Sequence, residues 1–377
     1  MKTNNPYISI LVVVRCDDWG GKSLIPRYQG MINYLYRCQK KYPNLFELCL
    51  CEYNPVKKPI FRKIIQIPYD MKYKFWIISK EIHKKLNLQK DFNAIFPLNF
   101  MIQKCCGEFI LPTSQDFYFS ENLLNYLYKR KLDKKKFYRI DKVDFHNKDP
   151  EKLSKKNQKI IDNYVKKNAK QIHIRHDYRF KKITYSLEKN MEIDDWPRSK
   201  KNLFDNYSKN DEIIYCREKY NNFYYKIHNR LSIWNFIEKI LNNKQIPTFI
   251  KNFINSLKLS YMKGLHTNGA GDFILAHRDS YIKIRGYYEN ENQMHLDTFI
   301  VAQLASSGLR QAIFTGRKLL YNTYHKRSEI DQKLHLKTDW SKTYSFFEKI
   351  LNGKINFKLN NNTWGLKKHF GNIEIEK

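Results

Sequence analysis

Tyr7 to Val14 (YISILVVV) is an unbroken apolar run rich in β-branched residues. Without polar alternation, a run of this length reads as a strand buried on both faces. A loop follows, Arg15-Cys16-Asp17-Asp18-Trp19-Gly20-Gly21. From Ser23 to Lys41 the apolar positions are Leu24, Tyr28, Met31, Ile32, Leu35 and Cys38, the spacing of one helix face, with Ser23 suited to the N-cap. Leu45 to Cys51 (LFELCLC) reads as a second strand. Strand, helix and strand in this order form a βαβ unit, which predicts a parallel pair with a right-handed crossover.

The alternation continues. Strands are expected at Ile64 to Ile67 and Lys74 to Ile78, and helices at Lys80 to Leu86 and Pro97 to Cys106. A short strand, Phe109 to Leu111, runs into Ser114-Gln115-Asp116. Alternating elements over about 120 residues predict an α/β domain in residues 1–145. The character then changes. Residues 146–262 are rich in lysine and asparagine and poor in glycine, and Leu231 to Leu257 has helical periodicity broken by Pro247. This stretch reads as a mainly helical insertion. Strand and turn character returns over 263–377. A strand is expected at Phe273 to Ala276, a helix at Asp279 to Ile284 stopped by Gly286, and a helix at His295 to Ser307 ended by Gly308. No internal repeat is evident.

The 377 residues are 42% hydrophobic and 15% aromatic, which fits a globular chain. No apolar run approaches the roughly 20 residues that cross a membrane, and the start lacks the features of a signal peptide. A cytoplasmic location is the expectation. The seven cysteines include no CxxC pair, so they read as free thiols in a reducing compartment. The formal net charge of +32 has three readings. One is a codon bias that also enriches Asn, Ile and Tyr. The second is a peripheral place on an anionic membrane or partner. The third, nucleic acid, ranks last, because no RNA-binding signature or zinc-finger spacing accompanies the charge.

Two glycine-acid segments carry the candidate chemistry. One is Gly107-Glu108-Phe109-Ile110-Leu111-Pro112-Thr113-Ser114-Gln115-Asp116; the other is Gly269-Ala270-Gly271-Asp272-Phe273, followed by His295-Leu296-Asp297. In an α/β domain both place acids at the carboxyl edge of the sheet, where ligands bind. One acid for a cation and one for a proton suggest transfer chemistry on a phosphate-bearing donor. Arg139 and Asp141 read as an edge-strand ion pair or donor contacts. His173, His176 and Asp177 (HIRHD) read as a solvated polar face.

The opening ISILVVVRCDDWGG, the CEYNP after the second strand and FMIQKCCGEFILPTSQDFYFS resemble family 2-type glycosyltransferases of the GT-A fold. HTNGAGDFILAHRDSYIKIRGYYEN and MHLDTFIVAQLASSGL are similar to the second half of that domain, and Trp364-Gly365-Leu366 to the tail of one bacterial subgroup. The resemblance covers residues 5–145 and 263–330. It implies a Rossmann-type nucleotide-diphospho-sugar transferase sheet interrupted by the insertion. It further implies an inverting transfer of a sugar to a hydroxyl on a glycan or lipid-linked glycan.

Residue roles follow from the same resemblance. Val14 and Arg15 would line the base pocket, and Glu52 would accept hydrogen bonds from base or ribose. Asn99, Ser114 and Gln115 would face the diphosphate sugar. Asp116 matches the last acid of the DxD metal motif. The motif here reads Ser114-Gln115-Asp116, so its first acid is missing and dependence on a divalent Mn or Mg is in question. His325 is the candidate second ligand. Asp297 matches the general base, with Asp272 competing for that role, and His295 and Thr298 would orient the acceptor. Two other readings stay open: a sugar nucleotidyltransferase, and a non-catalytic basic binding protein on a degenerate transferase core.

Overall fold

The computed structural model describes residues 5–16, 24–56, 58–88, 91–174, 183–186, 191–192, 211–215, 247, 273–290, 296–324, 340–351 and 353–376. The first strand, β1 (Ile8–Val14), pairs in parallel with β2 (Phe46–Tyr53) on one side and β4 (Phe109–Pro112) on the other. Beyond β2 comes β3 (Tyr73–Ile78), also parallel, and then the edge strand β15 (Glu374–Glu376). Beyond β4 come β12 (Leu275–His277), β6 (Lys136–Ile140), β13 (Arg310–Gly316) and β11 (Asp211–Tyr215).

β12 runs antiparallel to both β4 and β6, and β13 runs parallel to β6. Strands β1, β2, β3, β4, β6 and β13 therefore share one direction and one carboxyl edge. The fold is mixed α/β with a mainly parallel central sheet. A second sheet has the order β10 (Met191–Glu192), β9 (Ile183–Ser186), β8 (Ala169–Ile174), β7 (Lys142–Phe145), β14 (Leu320–Thr323) and β5 (Phe117–Phe119).

The unbroken apolar pattern of β1 serves two cores. Ile8, Ile10, Val12 and Val14 face α1 (Leu24–Lys41), whose stripe of Leu24, Tyr28, Met31, Ile32 and Leu35 is buried as its spacing implies. The same core takes Leu123, Leu124 and Leu127 of α5 (Glu121–Tyr128), then Leu153 of α6 (Pro150–Ser154) and Ile161 and Val165 of α7 (Gln158–Asn168). Leu11 points to the opposite core, with α3 (Lys80–Lys85), α4 (Ile95–Lys104), α8 (Arg278–Ile284), α9 (Leu296–Ser306), α10 (Trp340–Leu351) and Trp364. Among the described residues no helix is long and apolar enough to cross a membrane, and the described cysteines are free thiols.

Several elements differ from the expectation. Ile64 to Ile67 is not a strand: a short helix, α2 (Phe61–Ile64), occupies its start. The cause lies on β2, where the Glu52 carboxylate accepts the N–H groups of Ile60 (3.1 Å) and Phe61 (3.2 Å) and so stabilises a helical turn there. α4 begins two residues before Pro97, because Asn93 Oδ1 accepts the Ile95 N–H at 3.0 Å. The described part of 146–262 is mixed rather than mainly helical. It supplies α6 and α7, but also β8, β9 and β10 to the second sheet and β11 to the central one. The periodic segment Leu231 to Leu257 lies outside the described residues apart from Pro247. β6 is an interior strand, so Arg139 and Asp141 are buried rather than on an edge.

The amino edge of the sheet is locked around a buried acid. Glu47 on β2 accepts the Ser9 hydroxyl and the N–H groups of Cys106 (2.7 Å) and Gly107 (3.1 Å), and Lys74 lies 3.3 Å away. Gly107 N also donates to Ser9 Oγ at 2.7 Å. A Cβ at Gly107 would overlap the backbone of Ile8 and Ser9 on β1. Gly107→Ala is therefore expected to cost about 1–3 kcal/mol through overpacking. A lower urea midpoint at unchanged slope would show this.

Candidate active site at the carboxyl edge

The strand order reverses at β1. β1, β2 and β3 lie in sequence to one side, while β4 lies on the other. In open α/β sheets ligands bind outside the carboxyl ends of the strands at such a switch point. Val14 closes β1 and stands opposite Glu52 on β2, and the Thr113 N–H bonds Leu11 O at 3.0 Å as β4 runs out. Val14, Arg15, Glu52, Ser114, Gln115 and Asp116 thus stand at or just beyond one edge of the sheet. Chain direction adds the first turns of α1, α4 and α9, which start from the same edge. Asp297, in the first turn of α9, is half-buried, and its Oδ1 accepts the N–H of the buried Thr298 at 3.0 Å. Asp272, His295 and His325 lie outside the described residues.

Each side chain is held by named partners. Arg15 N donates to Tyr28 Oη of α1 (3.3 Å), and Arg15 Nη1 donates to Asp91 O (2.7 Å). Asn54 Nδ2 donates to the same carbonyl at 2.5 Å, so the ends of β1 and β2 are tied through residue 91. Tyr53 Oη lies 2.6 Å from His83 Nδ1, and burial lowers the imidazole's affinity for a proton. Both Glu52 oxygens are engaged at the start of α2, as described above. Ser114 and Gln115 are half-buried, and Ser114 Oγ accepts the Asp116 N–H at 3.5 Å. The hydroxyl of Thr113 is buried and has no hydrogen-bond partner among the described residues. Buried polar atoms are seldom left so, and this one directly follows β4 at the same edge.

Asp116 is buried, and its Oδ1 lies 2.5 Å from Nη1 of Arg27 on α1. Its carbonyl accepts the Thr323 N–H at 2.7 Å. A hard divalent cation wants several oxygen ligands, at least some of them charged. Here the carboxylate already carries a guanidinium, and Ser114 and Gln115 are neutral. No group of three or more His, Cys, Asp or Glu side chains among the described residues is arranged to hold a metal. The described donors therefore do not fit a divalent cation.

Asn99 takes a different place. Its Nδ2 donates to Tyr287 O (2.8 Å) and Glu289 Oε1 (3.0 Å), and its Oδ1 accepts the Tyr287 N–H (2.7 Å). Glu289 Oε1 also accepts the Gly365 N–H at 2.6 Å. Burial pushes the Glu289 carboxyl up, while Asn99 and Gly365 hold it back. Asn360 completes the clamp, donating to Arg285 O (2.7 Å) and Tyr287 O (2.6 Å). The turn after α8 and the Trp364-Gly365-Leu366 tail are thereby fastened to α4.

His173 of the HIRHD segment pairs with Asp144 (2.8 Å), which also accepts from Gln171 (2.5 Å) and Asn322 (3.1 Å), with Lys142 at 3.5 Å. Burial opposes the charge on Asp144, but Lys142, His173 and Gln171 hold its carboxyl well below the usual range. His176 and Asp177 lie outside the described residues.

Sequence reasoning missed Arg27, Asn54, Thr113 and Glu289. Arg27 left a readable trace: it falls three residues after Leu24 and four before Met31, on the apolar stripe of α1.

Two outcomes follow from these contacts. Asn99→Ala removes the acceptor of the buried Tyr287 N–H and one donor each from Tyr287 O and Glu289 Oε1, and should cost about 2–4 kcal/mol, read from chemical denaturation. The depressed Asp144 carboxyl stabilises the fold above its ordinary pKa, a contribution lost as the pH falls through the native value. Stability should therefore drop below about pH 4, and more shallowly in Asp144→Asn; melting curves across an acid series measure this.

No protein-family model matches the chain, and no curated protein matches it. Among solved structures, the crystal structure of S. aureus TarS 1–349 is similar at a TM-score of 0.39 and 10% identity, over 97% of this chain and 72% of that one. The crystal structure of S. aureus TarS is similar at 0.37 and 10% identity, over 96% of this chain and 43% of that one. Superpositions this loose transfer no residue roles.

Proposed function

We propose that the chain is a glycosyltransferase that binds a nucleotide-diphosphate sugar in the crevice at the carboxyl ends of β1 and β4. The reversal of strand order at β1 carries this reading, because it opens a ligand crevice where the family-like segments converge. The nucleoside lies against Val14, Arg15 and the end of β2. The diphosphate lies toward Thr113, Ser114, Gln115 and the amino end of α1, whose first turn holds no acid. A helix amino end favours an anion there.

Asp297, at the start of α9, takes the proton of the acceptor hydroxyl as that oxygen attacks the anomeric carbon. The carbon–oxygen bond to the nucleotide diphosphate breaks, and the configuration inverts. Proton removal by a positioned carboxylate contributes about 10²–10⁴-fold. The acceptor is a hydroxyl on a glycan or lipid-linked glycan, and the excess of basic residues suits an anionic surface or substrate.

One observation favours a second reading, a binding protein without catalysis: the acid that would serve the metal is tied to Arg27. A panel of nucleotide diphosphates and nucleotide sugars separates the two. A bound donor at 100 times its Kd should stabilise by about 2.7 kcal/mol. Arg15→Ala should weaken that donor about tenfold or more, the value of one charge-assisted hydrogen bond. Asp297→Asn should keep donor binding while sugar transfer falls by at least about 100-fold. If no nucleotide raises the melting temperature, the transferase reading fails.

A further inference from the structure

We infer that Arg27 stands where a divalent cation would stand at Asp116, so that the diphosphate is bound without metal. The inference rests on the transferase reading and concerns the same site. Its first support is the contact itself. Arg27 Nη1 and Asp116 Oδ1 are 2.5 Å apart, with the two side chains 1% and 4% exposed. Charges removed this far from water persist only when they are paired. A guanidinium never gives up its proton, so this partner of Asp116 is permanent.

The second support is charge balance. Two acids and a divalent cation make a neutral set. Here Ser114 stands in place of the first acid, and the Asp116 carboxylate is met by the Arg27 guanidinium. A divalent ion added to Asp116 would lie within about 4–5 Å of the guanidinium, where the repulsion is several times thermal energy even at an effective dielectric near 20.

The third support is rigidity. Next to Arg27, Tyr28 is buried and accepts the Arg15 N–H, and Leu24 and Met31 pack in the same core. The Asp116 carbonyl is bonded to Thr323 N. The backbone on each side of the pair is thereby held, by α1 and by the strand pair β5–β14.

The test uses the full chain. Mn2+ titration followed by electron paramagnetic resonance reads metal binding directly, with no need for a nucleotide. The wild-type chain is expected to leave the free Mn2+ signal undiminished at protein and metal concentrations near 100 μM, a range that would detect metal sites of ordinary strength. Its melting temperature should be the same in EDTA and in Mn2+, and any shift caused by a nucleotide diphosphate should be equal in both. Arg27→Lys keeps the charge and should stay indifferent to metal. Arg27→Ala exposes the carboxylate and should melt lower, with part of the loss recovered by millimolar Mn2+.

Stoichiometric Mn2+ binding by the wild type that disappears in Asp116→Asn would overturn the inference. So would a nucleotide shift that requires Mn2+. Absence of any nucleotide shift in either buffer would instead defeat the transferase reading, and the Mn2+ titration would still decide the role of Arg27.

Discussion

The reversal of strand order at β1 is the constraint on which the rest of the molecule depends. A strand with neighbours on both edges and helices over both faces is apolar except where a polar group finds a partner, and in β1 the one polar residue, Ser9, does. Because β2 and β4 leave it on opposite sides, the connections after β1 and β4 diverge above its carboxyl end. The amino edge shows the opposite economy: Glu47, Ser9 and Gly107 close it with hydrogen bonds that leave no room even for a methyl group.

Buried charge is handled in the same way across the molecule. Glu47 and Glu52, on one strand, spend their oxygens on backbone N–H groups of neighbouring turns. Asp144 gathers two amide donors and an imidazole, and Asp116 takes an arginine. In each case an acid joins separate elements of the fold, and the cost of desolvation is offset locally. Asp297 differs in being only half-buried at a helix start.

Much of the fold was legible in the sequence, because period and burial are coupled. YISILVVV could only be an interior strand, and the spacing from Leu24 to Cys38 could only be a helix face. What failed to show were elements decided by distant partners. Ile64 to Ile67 has strand composition, yet Glu52 holds the preceding turn helical. Residues 169–174 (AKQIHI) carry lysine and histidine, yet pair with β7 because Asp144 and Gln171 meet across the strands. At the site, Val14, Arg15, Ser114 and Asp116 were legible as the ends of apolar runs. The engagement of Glu52 by α2 was not, because it depends on a side chain turning back to the backbone, and neither were the clamp around Asn99 and the pairing of Arg27 with Asp116, which join residues dozens of positions apart.

The central claim is that the carboxyl edge around β1 and β4 is where this protein binds its ligand. Hydrogen–deuterium exchange with and without the nucleotide diphosphate that binds most tightly tests it most directly. Slower exchange confined to peptides covering 14–16, 52–54 and 112–116 is the expected result. Protection that spares these three segments, and falls instead on the amino edge or the second sheet, would contradict it.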